Sequence, residues 1–165
     1  MELVQRNALT DNHALVYLVN SDSDLNEANL LDNQYKYLES VKSKIEEPGA
    51  LRFCHFNNYP IWSVFIFSDP MKKDMDKFES YRLNGVEIQK WANAHKIEEL
   101  ALINLTESND CLLKTVEGLA LSSYQFLPYF SEIDKKKNSL QKVAAECDDQ
   151  TALDELGVMI EAVCR

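Results

Sequence analysis

The fold that we expect depends first on residues 111–129, which read Cys-Leu-Leu-Lys-Thr-Val-Glu-Gly-Leu-Ala-Leu-Ser-Ser-Tyr-Gln-Phe-Leu-Pro-Tyr. The apolar and small residues of this segment recur at intervals of three and four, the spacing of one face of an α-helix. They are Leu112, Val116, Leu119, Ala120, Ser123, Tyr124 and Leu127. Pro128 is expected to end this helix, because proline cannot continue one. Gly118 stands inside the pattern, where glycine costs roughly 1 kcal/mol relative to alanine, so it needs a packing or functional reason.

Short apolar runs elsewhere in the chain predict β-strands. Ala14–Val19 and residues 99–105 are compact runs typical of buried strands, and residues 3–5 and 140–144 predict shorter ones. Residues 51–56 and Ile61–Phe67, separated by turn residues 57–60, predict an antiparallel hairpin.

Three further segments have helical spacing. One carries Leu31, Tyr35, Leu38, Val41 and Ile45 between cap candidates at 21–24 and a stop at 48–49; a second carries Phe78, Tyr81, Gly85, Ile88 and Ala92. The last carries Leu153, Leu156, Ile160 and Val163 and reaches Arg165 without a stop signal, which favours a chain that continues. This alternation predicts an α/β fold with a mixed, mostly parallel sheet and helices on both faces.

The composition excludes several functions. A net charge of −10 disfavours binding to nucleic acid, and the basic run 135–137 is interpreted as a solvated loop. No apolar stretch is long enough to predict a membrane span, and the N-terminus lacks an export signal. We expect a cytoplasmic protein whose four scattered cysteines, Cys54, Cys111, Cys147 and Cys164, are free thiols.

A search for chemistry-bearing residues finds no reactive motif. His13, His55 and His95 lie far apart in sequence and lack the spacing of metal ligands. Cys54 and His55 are neighbours on a predicted strand, so their side chains point to opposite faces. No Gly-x-Ser-x-Gly motif and no glycine-rich phosphate loop occurs among the four glycines.

Residues 117–129 resemble a segment of the leucyl (cytosol) aminopeptidase family. Members commonly carry Glu-Gly, a leucine and then Tyr-x-Phe-x-x-Tyr in the last helix of their N-terminal domain. The matching positions are Glu117, Gly118, Leu121, Tyr124, Phe126 and Tyr129. Arg82 and Gly85 are similar to the family's Arg-x-x-Gly segment. The final helix resembles the family's interdomain helix, at Leu156, Ile160, Val163 and Arg165.

The resemblance implies a macro-domain-like fold over residues 1–147, followed at 148–165 by the start of an interdomain helix. In the family this helix leads to a catalytic domain that binds two divalent metal ions, Zn²⁺ or Mn²⁺, and removes N-terminal residues from peptides. Its Asn-Thr-Asp-Ala-Glu-Gly-Arg signature does not occur in this sequence. The resemblance therefore implies no catalytic residue, metal ligand or cofactor in this segment, whose partners would be its own catalytic domain and the other subunits of a hexamer.

Two alternatives stay open. We expect first a non-catalytic N-terminal domain with an assembly or regulatory role. The first alternative is a stand-alone macro-like module that binds a nucleotide such as ADP-ribose, and the second is a degenerate family member whose catalytic half has lost its metal ligands. The scarcity of glycine opposes the nucleotide alternative. Because Gly85 also lies inside a predicted helix, close packing between helices is the favoured explanation for Gly118.

Overall fold

The computed structural model describes residues 1–11, 13–45, 52–68, 74–124, 137–145 and 150–164. The strands are β1 (Glu2–Val4), β2 (Ala14–Val19), β3 (Phe53–Asn58), β4 (Ile61–Phe67), β5 (Glu99–Asn104) and β6 (Lys142–Ala145). The α-helices are α1 (Asp32–Lys42), α2 (Asp74–His95), α3 (Asn109–Ser123) and α4 (Gln150–Cys164). Short 3₁₀ turns occupy Arg6–Ala8 and Leu25–Ala28.

The six strands form one sheet in the order β1-β6-β5-β2-β4-β3. Neighbouring strands pair in parallel except for β3 and β4, which form the antiparallel hairpin. The hairpin was expected from the sequence, although its turn is the pair Tyr59-Pro60, shorter than the predicted 57–60. The prediction of a mixed, mostly parallel sheet is confirmed.

Helices cover both faces of the sheet, as predicted. Val16 and Leu18 of β2 point to the face covered by α2, α3 and α4, where they join the larger buried cluster. Tyr17 and Val19 alternate to the opposite face and pack with α1 and the turn Leu25–Ala28. This alternation follows from the period of two in a strand, which makes a strand buried on both faces apolar throughout.

The prediction that the helix beginning near Cys111 continues to Leu127 is wrong. The helix α3 ends at Ser123, and Tyr124, expected on its buried face, has extended backbone and is 59% exposed. The side chain of Asn138 donates its Nδ2 hydrogen to the Ser123 carbonyl at 3.0 Å, which satisfies an acceptor at the helix end. The helix therefore stops before Pro128, which with Leu127 lies outside the described residues.

The predicted first helix also begins later than its cap candidates suggested. Asp24 caps the 3₁₀ turn Leu25–Ala28 by accepting from the Asn26 amide at 2.9 Å. A left-handed Asn29 then separates this turn from α1. Leu31 precedes α1, and its backbone amide donates to Gln34 Oε1 at 3.1 Å. Ile45 follows the end of α1 and is buried.

Candidate functional site

The helices α2 and α3 touch through their backbones at Gly85 and Gly118. A Cβ atom on Gly118 would lie 2.7 Å from the Arg82 Cα, and it would clash with the Arg82 carbonyl oxygen. A Cβ atom on Gly85 would likewise clash with Thr115 and would lie 2.8 Å from the Gly118 carbonyl carbon. The expectation that Gly118 serves close helix packing is confirmed.

An ion-pair network lies beside this crossing. Arg82 Nε donates to Glu117 Oε1 at 3.1 Å, and Lys114 Nζ donates to Glu117 Oε2 at 2.8 Å. Arg82 Nη1 also donates to Glu79 Oε2 at 3.3 Å. Burial alone would raise the pKa of Glu117, but the hydrogen bonds from Lys114 and Arg82 outweigh it and hold the pKa below its usual value. The carboxylate thus joins the two helices as an anion.

Four of the residues matched to the aminopeptidase pattern therefore meet at one place. Arg82, Gly85, Glu117 and Gly118 form the contact between α2 and α3, where they hold helices together. Of the remaining matched positions, Leu121 and Tyr124 are more than half exposed, whereas Phe126 and Tyr129 lie outside the described residues.

The helix α4, which was matched to the family's interdomain helix, packs on the same face of the sheet as α2 and α3. Ile160 is buried in the cluster under α3, and Leu156 is partly buried against the same cluster. The side chain of Val163 is not described, and Arg165 lies outside the described residues.

A groove opens at the carboxyl ends of β1 and β6, between the turn Arg6–Ala8 and α4, with a volume of about 750 Å³. Ligands of open α/β sheets bind outside the carboxyl ends of strands, so this edge groove is a candidate ligand site. In the described part of its lining, Arg6 is accompanied by two carboxylates, Asp154 and Glu161. Gly157 also lines the groove, where a Cβ atom would meet nothing within 4 Å.

Four aromatic side chains pack together in what we call the His–Trp cluster. They are His55 on β3, Trp62 on β4, and Trp91 and His95 on α2. The His95 ring lies 4.8 Å from Trp62, 5.1 Å from Trp91 and 5.3 Å from His55, measured between ring centroids. The chain's only two tryptophans are both in this cluster. The sequence does not reveal this cluster, because its members lie on three elements, β3, β4 and α2, that only the fold brings together.

The structure describes the side chains of two of the four cysteines. Cys54 and Cys111 are buried free thiols. Burial raises the pKa of Cys54 to about 11 and also raises the pKa of Cys111, so neither forms a thiolate readily near neutral pH. Cys54 packs on the α1 face and His55 on the opposite face, which confirms that they cannot act as a dyad.

Within the described residues, no group of three or more His, Cys, Asp or Glu side chains is arranged to hold a metal ion. In the same part of the chain, no helix is long and apolar enough to cross a membrane. Neither a family model nor a curated protein sequence matches the chain.

The sheet order and its helical layers define an α/β fold that is macro-domain-like, and solved structures share it. A mutant of tomato leucine aminopeptidase superposes with a TM-score of 0.64 at 13% identity, over 99% of this chain. The macro domain of ganglioside induced differentiation associated protein 2 gives a TM-score of 0.57 at 13% identity, over 94% of this chain and 82% of that one. An alphavirus P23pro-zbd structure gives 0.55 at 9% identity, over 98% of this chain and 24% of that one.

This chain spans 35% of the aminopeptidase chain that it resembles. At such low identities the likeness shows the fold alone, because one fold serves many functions.

Proposed function

We propose that this chain is a non-catalytic domain of a leucyl aminopeptidase-type protein, with a role in assembly or regulation. The observation that carries the proposal is the extent of the likeness: 99% of this chain superposes on tomato leucine aminopeptidase, with a higher TM-score than on the macro domain. In this proposal the peptide-cleaving chemistry and its two divalent metals, Zn²⁺ or Mn²⁺, belong to a separate catalytic domain.

The roles of the matched residues support the proposal. Arg82, Gly85, Glu117 and Gly118 are engaged in joining α2 to α3. The residues matched to the aminopeptidase family are then explained by packing between helices, and none of them has to be a reactive group.

The proposed partners are the chain's own catalytic domain and further copies of the protein, arranged as a hexamer in the cytoplasm. A net charge of −10 opposes a role in binding nucleic acid. Exposed apolar side chains at the end of α3, Leu121 and Tyr124, are available for contacts with such partners.

The coding sequence downstream of the Arg165 codon tests this parentage. We expect it to encode Leu-x-Asn-x-Pro and, further on, the Asn-Thr-Asp-Ala-Glu-Gly-Arg signature. A reading frame that continues with both motifs supports the proposal, and one that contains neither contradicts it.

A second candidate function is that of a macro-like module for a nucleotide such as ADP-ribose. It is favoured by the edge groove and by the likeness to a macro domain, 82% of whose length this chain covers. Asp154 and Glu161 oppose it, because carboxylates in the lining repel a diphosphate.

Calorimetric titration with ADP-ribose tests the second candidate. Binding heat that disappears in Arg6→Gln and persists in a surface control, Lys90→Gln, would support it. An absence of heat at millimolar ADP-ribose would remove it.

A further inference from the structure

The fold brings together two histidines from distant parts of the chain. His55 lies on β3, at the antiparallel edge of the sheet, and His95 is the last residue of α2. Their ring centroids are 5.3 Å apart, and the planes of the rings are inclined by 64°. The same two rings contact both tryptophans of the chain.

The hydrogen bonding of His95 determines which of its nitrogens is available. His95 Nδ1 lies 2.9 Å from the carbonyl oxygen of Trp91. Because a carbonyl can only accept, Nδ1 carries the hydrogen in the neutral ring, and Nε2 keeps a lone pair. Metal-binding histidines are oriented in this way, with the second nitrogen donating to a backbone carbonyl or a carboxylate.

The His55 ring lies against the same two tryptophans as His95. Its centroid is 5.6 Å from that of Trp62 and 6.3 Å from that of Trp91. A neutral imidazole keeps a lone pair on one of its two nitrogens, and that lone pair can coordinate a metal ion.

We propose that His55 and His95 form a two-histidine site for a divalent transition metal ion, with zinc as the ion that fits best. Zn²⁺ binds imidazole nitrogen at about 2.0–2.1 Å with tetrahedral angles, which places two coordinating rings with centroids roughly 5 Å apart. The observed separation of 5.3 Å agrees with this geometry. Water completes the coordination, since the described residues offer no third ligand in a cluster.

The surroundings of the two rings support the site. Phe53 packs on the His55 ring, and Trp62 and Trp91 pack on both histidine rings, which holds the rings in place. This inference is independent of the proposed function, because the site uses none of the residues matched to the aminopeptidase family.

The test is calorimetric titration of the untagged 165-residue chain with Zn²⁺ at pH 7.5. Cys147 and Cys164 are replaced by serine in every protein used, because thiolates bind zinc strongly and would mask the histidines. Titration with paramagnetic Co²⁺ gives a second readout: both tryptophans lie at the proposed site, so the bound ion should quench their fluorescence.

His55→Asn and His95→Asn are the decisive variants. Asparagine at position 95 can still donate to the Trp91 carbonyl, but it lacks an atom equivalent to Nε2. Each variant should weaken Zn²⁺ binding at least about tenfold and abolish Co²⁺ quenching.

His13→Asn is the matched control. His13 Nδ1 also lies beside a backbone carbonyl, that of Thr10 at 2.6 Å, but within the described residues no second histidine ring contacts it. This control should bind as the parent protein does. Stoichiometric binding that both decisive variants lose and the control keeps supports the site. An absence of binding, or binding that either decisive variant retains in full, overturns it.

Discussion

Gly85 and Gly118 face each other across the contact between α2 and α3, and neither position leaves room for a methyl group. The atoms that a Cβ would meet belong to the backbone of the opposite helix, so no side chain can turn aside to admit it. Each glycine is destabilising within its own helix, and close packing of the two helices offsets that cost.

Replacing Gly118 by alanine should therefore destabilise the protein, although alanine is the better helix former. We expect a loss of about 1–3 kcal/mol in the free energy of unfolding, because the helices must separate to admit the new atom. Urea denaturation followed by tryptophan fluorescence measures this change.

Gly157→Ala is the matched control for that substitution. Gly157 is also inside a helix, but a Cβ atom there would meet nothing within 4 Å. Alanine should raise stability at this position by up to about 1 kcal/mol. If Gly118→Ala is as stable as Gly157→Ala, close packing is not what requires glycine at position 118.

Glu117→Gln should destabilise the protein in a pH-dependent way. The pKa of Glu117 is lowered in the folded state, so its stabilising effect is present above the ordinary value of 4.5 and is lost as pH falls through the lowered pKa. At pH 7 we expect a cost of about 1 kcal/mol, a modest figure because both partners are partly solvated.

The stability difference between Glu117→Gln and the parent protein should therefore shrink as the pH falls from 7 toward 3. Glu87→Gln is the control, because it removes an exposed pair with Lys90 and should change stability by less than about 0.5 kcal/mol. A difference that is constant across this pH range would show that Glu117 acts by shape alone.

His55 should make the folded protein less stable in mild acid. The folded state lowers the pKa of His55 from 6.5, so the unfolded state binds the proton more readily. Stability contributed by the neutral ring is present above pH 6.5 and declines as pH falls through the lowered value. His55→Gln should therefore flatten the dependence of unfolding free energy on pH between 7.5 and 5. An unchanged slope would contradict the shift.

Asn138→Ala should loosen the end of α3. Asn138 Nδ2 donates to the Ser123 carbonyl, and its Oδ1 accepts from Asn93 of α2 at 2.8 Å. Loss of both hydrogen bonds should lower the free energy of unfolding by about 1–3 kcal/mol, because it leaves partly buried polar groups unpaired. Faster amide exchange over residues 119–124, with little change at α1, is the expected local effect; uniform exchange in both helices would contradict this role.

The strands were predictable because their signal is local. Ala14–Val19 and residues 100–103 of the strand Glu99–Asn104 are hydrophobic runs, and burial on both faces of a parallel sheet demands that composition. The glycine of α3 was predictable for a similar reason: its cost inside a helix can be read from the sequence, and so can the need for a compensating contact.

The end of α3 and the His–Trp cluster were not predictable, because both depend on tertiary contacts. Asn138 lies in the segment before β6, and nothing in residues 111–129 indicates that it will cap Ser123. His55 and His95 meet only once β3 and α2 are packed, so their spacing along the chain carries no signal. Hydrophobic periodicity and secondary-structure propensity describe single helices and strands, and they do not determine such long-range contacts.

The proposed role of this chain is that of a non-catalytic domain in an aminopeptidase-type protein. The most direct measurement is hydrolysis of a leucyl chromogenic substrate by the purified 165-residue chain, supplied with Zn²⁺ or Mn²⁺. We expect no release above the metal-only blank, even with zinc bound at His55 and His95. Metal-dependent turnover that co-elutes with the chain and exceeds the blank would contradict it.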